Sequence, residues 1–180
     1  MAEIQIQKSE LDVRIREARH KDLESLREMS TELRQSKEVD YFEQQMEYQH
    51  AGERLILIAE VEEGDVGYCI LNWDPKYGFF RAHEIPEIQD LNVLSEFRKQ
   101  GIATKMIVYC EELAARKGCK SMGISFGLHP GFGAAQRLYI KLGYIPDGFG
   151  ATYDRKVVVE GEFKAVDDQL CLMLVKNLQN

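Results

Sequence analysis

The sequence predicts an α/β (α+β) domain: a mixed, mostly antiparallel twisted sheet with one parallel βαβ unit and helices on both faces. Three observations predict it. Two apolar segments, 54–61 and 66–73, flank the turn Glu62-Glu63-Gly64-Asp65 and read as a β-hairpin. An amphipathic segment, 103–117, lies between the strand-like segments 87–93 and 121–126. A hairpin cannot reverse across that helix, so its flanking strands are expected to be parallel neighbours. The 180 residues contain no repeat, low-complexity tract or linker, which predicts one domain over 1–180 with residues 1–12 as an extended N-terminal segment.

The elements follow in order. Residues 13–18 alternate apolar and polar side chains, as a half-buried strand does. Leu23, Leu26, Met29 and Leu33 recur at helical spacing, and residues 40–49 form a second helix with Phe42 and Met46 inward. The Asp74-Pro75-Lys76-Tyr77-Gly78 stretch punctuates the chain as a loop before the strand at 87. In the helix at 103–117, Met106, Cys110, Leu113 and Ala114 share a face with Ile102 just before it, and Gly118 suits its stop. After the strand at 121–126 come a loop at 128–133, a helix at 134–142 closed by Gly143, a strand beginning at Tyr144 and a last strand at 170–175.

Composition narrows the function classes. A 44% hydrophobic, 29% charged chain is that of a soluble globular protein. The net charge of −7 argues against non-specific nucleic-acid binding and is compatible with a cationic amine substrate. No run approaches the ~18–20 apolar residues that span a bilayer, so no membrane partner is expected. The charged N-terminal stretch lacks an apolar signal region, which implies the cytoplasm. Cys69, Cys110, Cys119 and Cys171 are widely spaced and read as buried free thiols, and the four histidines are scattered, so no metal site is expected. Neither a G-x-x-x-x-G-K-S/T nor a G-x-G-x-x-G sequence is present, which excludes P-loop and dinucleotide-binding readings.

The most informative stretch is Asp90 to Lys117, where a short apolar strand (Leu91, Val93) runs into Arg98-Lys99-Gln100-Gly101-Ile102-Ala103 and then directly into a helix. The first turn of a helix leaves backbone N–H groups without intrahelical partners and carries partial positive charge. A glycine in the preceding turn lets the backbone approach an anion, so the loop is a candidate phosphate cradle. It resembles the R/Q-x-x-G-x-G/A pyrophosphate loop of the GNAT N-acetyltransferase superfamily, filled here by Arg98, Gly101 and Ala103. Downstream, Ala134-Ala135-Gln136-Arg137-Leu138-Tyr139-Ile140-Lys141-Leu142-Gly143-Tyr144 resembles that family's A-x-x-L-Y-x-x-x-G-F/Y segment. The resemblance covers roughly residues 13–176, with specific matches within 87–144.

The resemblance implies a GNAT-like fold, acetyl-CoA as co-substrate without a metal, and acetyl transfer to a small-molecule or peptide amine. It implies that pantetheine adds alongside the backbone of Leu91 and Val93, with the Val93 N–H polarising the thioester carbonyl. Pyrophosphate is expected against the N–H groups of Gln100, Gly101, Ile102, Ala103 and Thr104, with charge from Arg98 and Lys99, although Lys99 also reads as a solvated surface charge. Tyr139 is expected as general acid toward the departing thiolate, against the plainer reading of a packed core phenol. Phe132 stands where many relatives carry Asn, at the edge of the CoA site. Glu87 matches the base of histone-type members and Asp90 an amine-binding acid of polyamine-type members; each reads equally as a sheet-edge carboxylate. Trp73, Tyr77 and Tyr153 are candidates to line the acceptor site, although core or surface packing is the favoured reading for each. A homodimer is in keeping with the family. A non-catalytic acyl-CoA-binding sensor remains the competing class.

Overall fold

A computed structural model describes residues 11–35 and 37–179. The expected N-terminal segment at 1–12 therefore lies almost wholly outside the described residues. The chain forms β1 (Arg14–Glu17), α1 (Leu23–Glu32), α2 (Tyr41–His50), β2 (Arg54–Val61), β3 (Gly64–Asn72), α3 (Gly78–Ala82) and β4 (Glu87–Val93). It continues with α4 (Ile102–Arg116), β5 (Ser121–Gly127), α5 (Gly133–Lys141), β6 (Ile145–Tyr153), β7 (Lys156–Val157) and β8 (Leu170–Asn177). The strands make one eight-stranded sheet in the order β1-β2-β3-β4-β5-β8-β6-β7. Only β4 and β5 pair in parallel, joined by α4; all other pairs are antiparallel.

Side-chain alternation along the strands sends two apolar sets to opposite faces. Leu57, Ala59, Cys69, Leu71, Ile88, Met122, Ile124 and Leu174 pack with Ile102, Met106, Cys110 and Tyr139 under α4 and α5. On the other face Ile56, Ile58 and Tyr68 pack with Leu26, Met29 and Phe42 of α1 and α2. A smaller cluster there joins Tyr77, Phe80, Ile85 and Met173. Helices thus cover both faces, as the sequence pattern required.

Two local features depart from the sequence reading. The stretch expected to be a loop contains α3, because burying Phe80 and half-burying Phe79 over the sheet favours one helical turn over open chain. The C-terminal part holds three strands rather than two, since Asp154 and Arg155 both adopt left-handed backbone, the geometry of a tight two-residue hairpin turn.

The sheet is deliberately incomplete at its middle. β4 meets β5 only at Glu87↔Gly123 and Ile88↔Ile124, whereas β5 meets β8 along its entire length, from Ser121↔Asn177 to Gly127↔Cys171. On its other side β4 carries a bulge: Tyr68 and Ile70 face Asn92 and Gln89, so Cys69 alone opposes Asp90 and Leu91. Asp90 takes a left-handed φ of 48° there, which bends the strand and re-aims its side chain.

The closed end of the β4–β5 pair is held by α3. A Cβ on Gly123 would fall 2.3 Å from the Phe80 ring. Gly123→Ala should therefore displace Phe80 and cost about 1–3 kcal/mol by overpacking. Thermal or urea unfolding of the variant checks this; wild-type stability would show that α3 yields without loss.

Candidate active site

Among the described residues, the loop between β4 and α4 presents a run of unpartnered backbone N–H groups. Lys99 (φ 61°) and Gly101 (φ 84°) are both left-handed and flank Gln100, turning successive N–H groups toward one concave side. No side chain caps α4, and the first backbone bond into it is Lys105 N–H to the Gly101 carbonyl at 3.0 Å. Among the described residues, no N–H from Lys99 to Thr104 has an acceptor. A Cβ on Gly101 would meet nothing within 4 Å, so the approach is open. These orphaned donors at a helix N-terminus fit a pyrophosphate.

The loop is one wall of a cavity of about 500 Å³. Leu91, Asn92 and Val93 of the splayed strand line it, with Phe132, Ala135, Leu138 and Tyr139 opposite. Leu94 N–H bonds to the Val66 carbonyl on β3 at 2.9 Å, so by strand alternation the polar groups of Val93 point the other way, into the gap. The Val93 carbonyl is already taken by Arg98 Nε at 2.9 Å, which stitches the loop to the strand. The Val93 N–H is left as the available group.

Tyr139 is 6% exposed, and its ring packs against Phe126 and Tyr144. It is core by packing and lines the cavity by position. Burial, with a smaller contribution from Cys69, raises its phenol above the ordinary value and keeps the proton on. Among the described residues its hydroxyl has no hydrogen-bond partner.

On the opposite face the gap opens onto a polar floor. Glu87 is fully buried, with Arg155 Nη2 2.8 Å from Oε1, Gln89 Nε2 donating to Oε2 at 2.8 Å and Ser125 Oγ 3.4 Å from Oε1. Burial raises the Glu87 carboxyl, and Arg155 opposes that rise. Glu87 therefore sits at the closed end of the gap as half of a buried ion pair, with Ser125 and Gln89 between it and open space. Asp90 lies further along, its Oδ2 accepting from Lys37 Nζ at 2.6 Å and from the Tyr41 hydroxyl.

The remaining sequence candidates separate. Phe132 reaches the cavity, its ring lying where a Cβ on Gly127 would be, 2.5 Å away. Trp73 is placed on the α4 side of the sheet, under the Lys117 ammonium at 4.0 Å, and does not join the polar floor. Tyr77 donates to Asp147 at 2.6 Å and packs on Phe80, and Tyr153 donates to Asp167 at 2.8 Å. The hydroxyls of both tyrosines are thus committed within the fold. Sequence reasoning missed Arg155, Lys37, Tyr41 and Ser125. The only local signal was the Asp154-Arg155 pair in a hairpin turn; Ser125 is brought in by the β4–β5 pairing, and Lys37 and Tyr41 by the packing of α1, α2 and their connection on the sheet.

The family model described as Acetyltransferase (GNAT) family matches residues 20–144, so the chain belongs to that family and is an acyltransferase, with acetyl-CoA as the family's acyl donor. No curated protein sequence matches significantly. Many solved structures share the fold. An N-acetyltransferase from Staphylococcus aureus Mu50 aligns over 93% of this chain and 99% of its own at TM-score 0.69 and 15% identity. YncA of Salmonella typhimurium, solved with its cofactor acetyl-CoA, aligns over 93% and 94% at TM-score 0.66 and 17% identity. A Salmonella typhimurium acetyl transferase that modifies the N-terminal serine of ribosomal protein L7/L12 aligns over 92% and 94% at TM-score 0.69 and 12% identity.

Removing Arg155 tests the buried pair. Arg155→Met should cost about 3 kcal/mol at neutral pH, the low end for orphaning a buried charge because Arg155 keeps 21% side-chain exposure. Glu87 has a raised folded-state pKa, so it favours the folded form at acidic pH and loses that contribution as pH rises through the folded value. Without Arg155 the rise is larger, and the deficit should shrink on acidification, once Glu87 is protonated and needs no counter-ion. Urea unfolding across pH reads this directly; a pH-independent deficit would assign the loss to packing.

Proposed function

We propose that the protein moves an acetyl group from acetyl-CoA to a primary amine by direct attack. The observation that carries this reading is the coincidence, in one cavity, of the uncapped loop, the strand gap and the buried Tyr139 phenol. In this reading the N–H groups of residues 100–104 hold pyrophosphate, and pantetheine takes the place of a missing strand beside the Leu91–Val93 backbone. Arg98 acts chiefly by fixing the loop to Val93, and Lys99 adds charge at the rim.

The amine enters from the face bearing Glu87 and Asp90. Its nitrogen attacks the thioester carbonyl carbon, and the Val93 N–H stabilises the negative charge developing on oxygen. One donor aimed at such charge is worth roughly 3–4 kcal/mol in other acyl transfers. Tyr139 gives its proton to the departing thiolate sulfur. Glu87 takes the ammonium proton by way of the Ser125 hydroxyl or water, because the carboxylate itself is sealed from the gap. Burial raises its pKa, with Arg155 opposing the rise, and so makes it a stronger base than an exposed carboxylate. Asp90 orients the ammonium before transfer.

Two measurements test the reading. Acetyl-CoA at 100 times its Kd should stabilise the fold by about 2.7 kcal/mol, visible as a rise in Tm. Gly101→Asp should abolish that rise by setting a negative charge beside phosphate, at a cost of about 1–2 kcal/mol because the position has a left-handed φ of 84°. No shift in the wild type would overturn the cofactor assignment.

Tyr139→Phe should keep acetyl-CoA affinity and lower kcat by ~10²–10⁴, the usual contribution of a general acid. Thiol release from acetyl-CoA across a panel of amines, amino acids and peptide N-termini gives the rate. Unchanged turnover would return Tyr139 to a packing role. Binding without transfer to any amine would favour the sensor class.

A further inference from the structure

The Asp90 carboxylate, the presumed anchor for an incoming ammonium, already holds one. Lys37, in the connection between α1 and α2, places Nζ 2.6 Å from Asp90 Oδ2 and 4.5 Å from the centre of the Tyr41 ring. The Tyr41 hydroxyl donates to the same oxygen. Burial and the Asp90 charge push the Tyr41 phenol up, so it stays protonated as a donor. A carboxylate beside an aromatic face is a general way of holding an alkyl ammonium.

The position of this cage matters more than its chemistry. Asp90 sits on the bulge of β4, one residue before Leu91, whose backbone lines the cavity. Adding an aspartate side chain and one hydrogen bond to a Cα–Cα step puts Nζ within roughly 10 Å of the Leu91 Cα. The segment bearing Lys37 is also pinned to the splayed strand by Gln35, whose amide donates to Asn92 Oδ1 at 2.6 Å. Lys37 keeps 21% of its side chain exposed on a flexible arm. A primary amine is thus tethered to the β4 residue that precedes the cavity-lining segment Leu91–Val93.

We propose that Lys37 is an acceptor of the protein's own acetyl transfer, modified in cis when no external amine competes for the Asp90–Tyr41 subsite. The inference rests on the acetyl-CoA-dependent reading above. Nζ first gives a proton to the Asp90 carboxylate, which passes it to water. The neutral amine forms a bond to the thioester carbonyl carbon, the carbon–sulfur bond breaks with its electron pair on sulfur, and the nitrogen gives up its second proton to water. Sulfur takes the Tyr139 proton, which water replaces. The products are Nε-acetyl-lysine at position 37, CoA thiol and one proton released to solvent. The acetylated side chain has no charge for Asp90, so the modification frees the subsite for an external amine.

Two reagents with opposite preferences test this. The full-length protein is incubated with acetyl-CoA alone, and every lysine is followed by peptide mass spectrometry. Lys37 should be labelled at least about tenfold faster than exposed lysines such as Lys141, a small part of the advantage a held amine has over a free one. The first-order rate should not change with protein concentration, and Asp90→Asn should lower it while leaving the acetyl-CoA thermal shift unchanged. Acetic anhydride at low dose, which needs no CoA site, should reverse the order and label Lys141 before Lys37. Labelling of Lys37 by acetyl-CoA no faster than Lys141, with the thermal shift intact, overturns the proposal and leaves the transferase reading standing. Lys37 reacting with anhydride as fast as Lys141 overturns it too, since the cage would not hold in solution. Absence of the thermal shift overturns both.

Discussion

Everything at the site depends on β4 leaving β5 after two paired positions. A strand in mid-sheet normally spends its N–H and C=O groups on both neighbours, and unpaired ones are costly unless something accepts them. Here β5 continues with β8, β4 continues with β3, and the backbone from Gln89 onward is left facing a gap. The closed end is clamped by Gly123 under Phe80 and by Gly123 N–H on the Pro86 carbonyl at 2.8 Å. The open end is wedged by α4 and α5, whose apolar faces reach the same core. A ligand with amide groups of its own completes the hydrogen bonding that the fold withholds.

The two faces of this gap carry different chemistry because strand alternation sorts them. Ile88, Ile124 and Phe126 line the side where Tyr139 is buried, and that side is apolar apart from the phenol. Glu87, Gln89 and Ser125 fall on the other side, with Asp90 re-aimed by its bulge toward α1 and α2. A thioester reached from one side and an amine from the other is the arrangement that direct transfer needs. The Tyr139 phenol and the Glu87 carboxylate, the proposed acid and base, are thereby held on opposite sides of the sheet.

The polar side is heavily pre-paired. Glu87 has Arg155 and Gln89, Asp90 has Lys37 and Tyr41, and Asn92 has Gln35. In the proposed mechanism an incoming amine exchanges with these partners rather than entering an empty site. That exchange would couple acceptor binding to the α1–α2 connection and to the β6–β7 hairpin, the two segments that supply Lys37 and Arg155.

How much was legible follows the same division. The loop at 98–104 could be read because its chemistry is contiguous: a glycine with left-handed backbone, an uncapped helix start and a strand before it all lie within one stretch of chain. The single parallel pair could be read because a helix between two strands leaves chirality and chain length little choice. The position of Tyr139 followed from its helix register. By itself, then, the sequence determined the sheet class, the helix faces, the anion loop and the phenol beside it, all of which are set by local periodicity and short connections. Only the tertiary structure decided what surrounds the carboxylates. Lys37 meets Asp90 across 53 residues, Arg155 reaches Glu87 from the far edge of the sheet, and Trp73 packs on the α4 side, away from the carboxylates. Such contacts depend on strand order and on a one-residue bulge in β4, which reverses side-chain direction without leaving a mark in the local pattern.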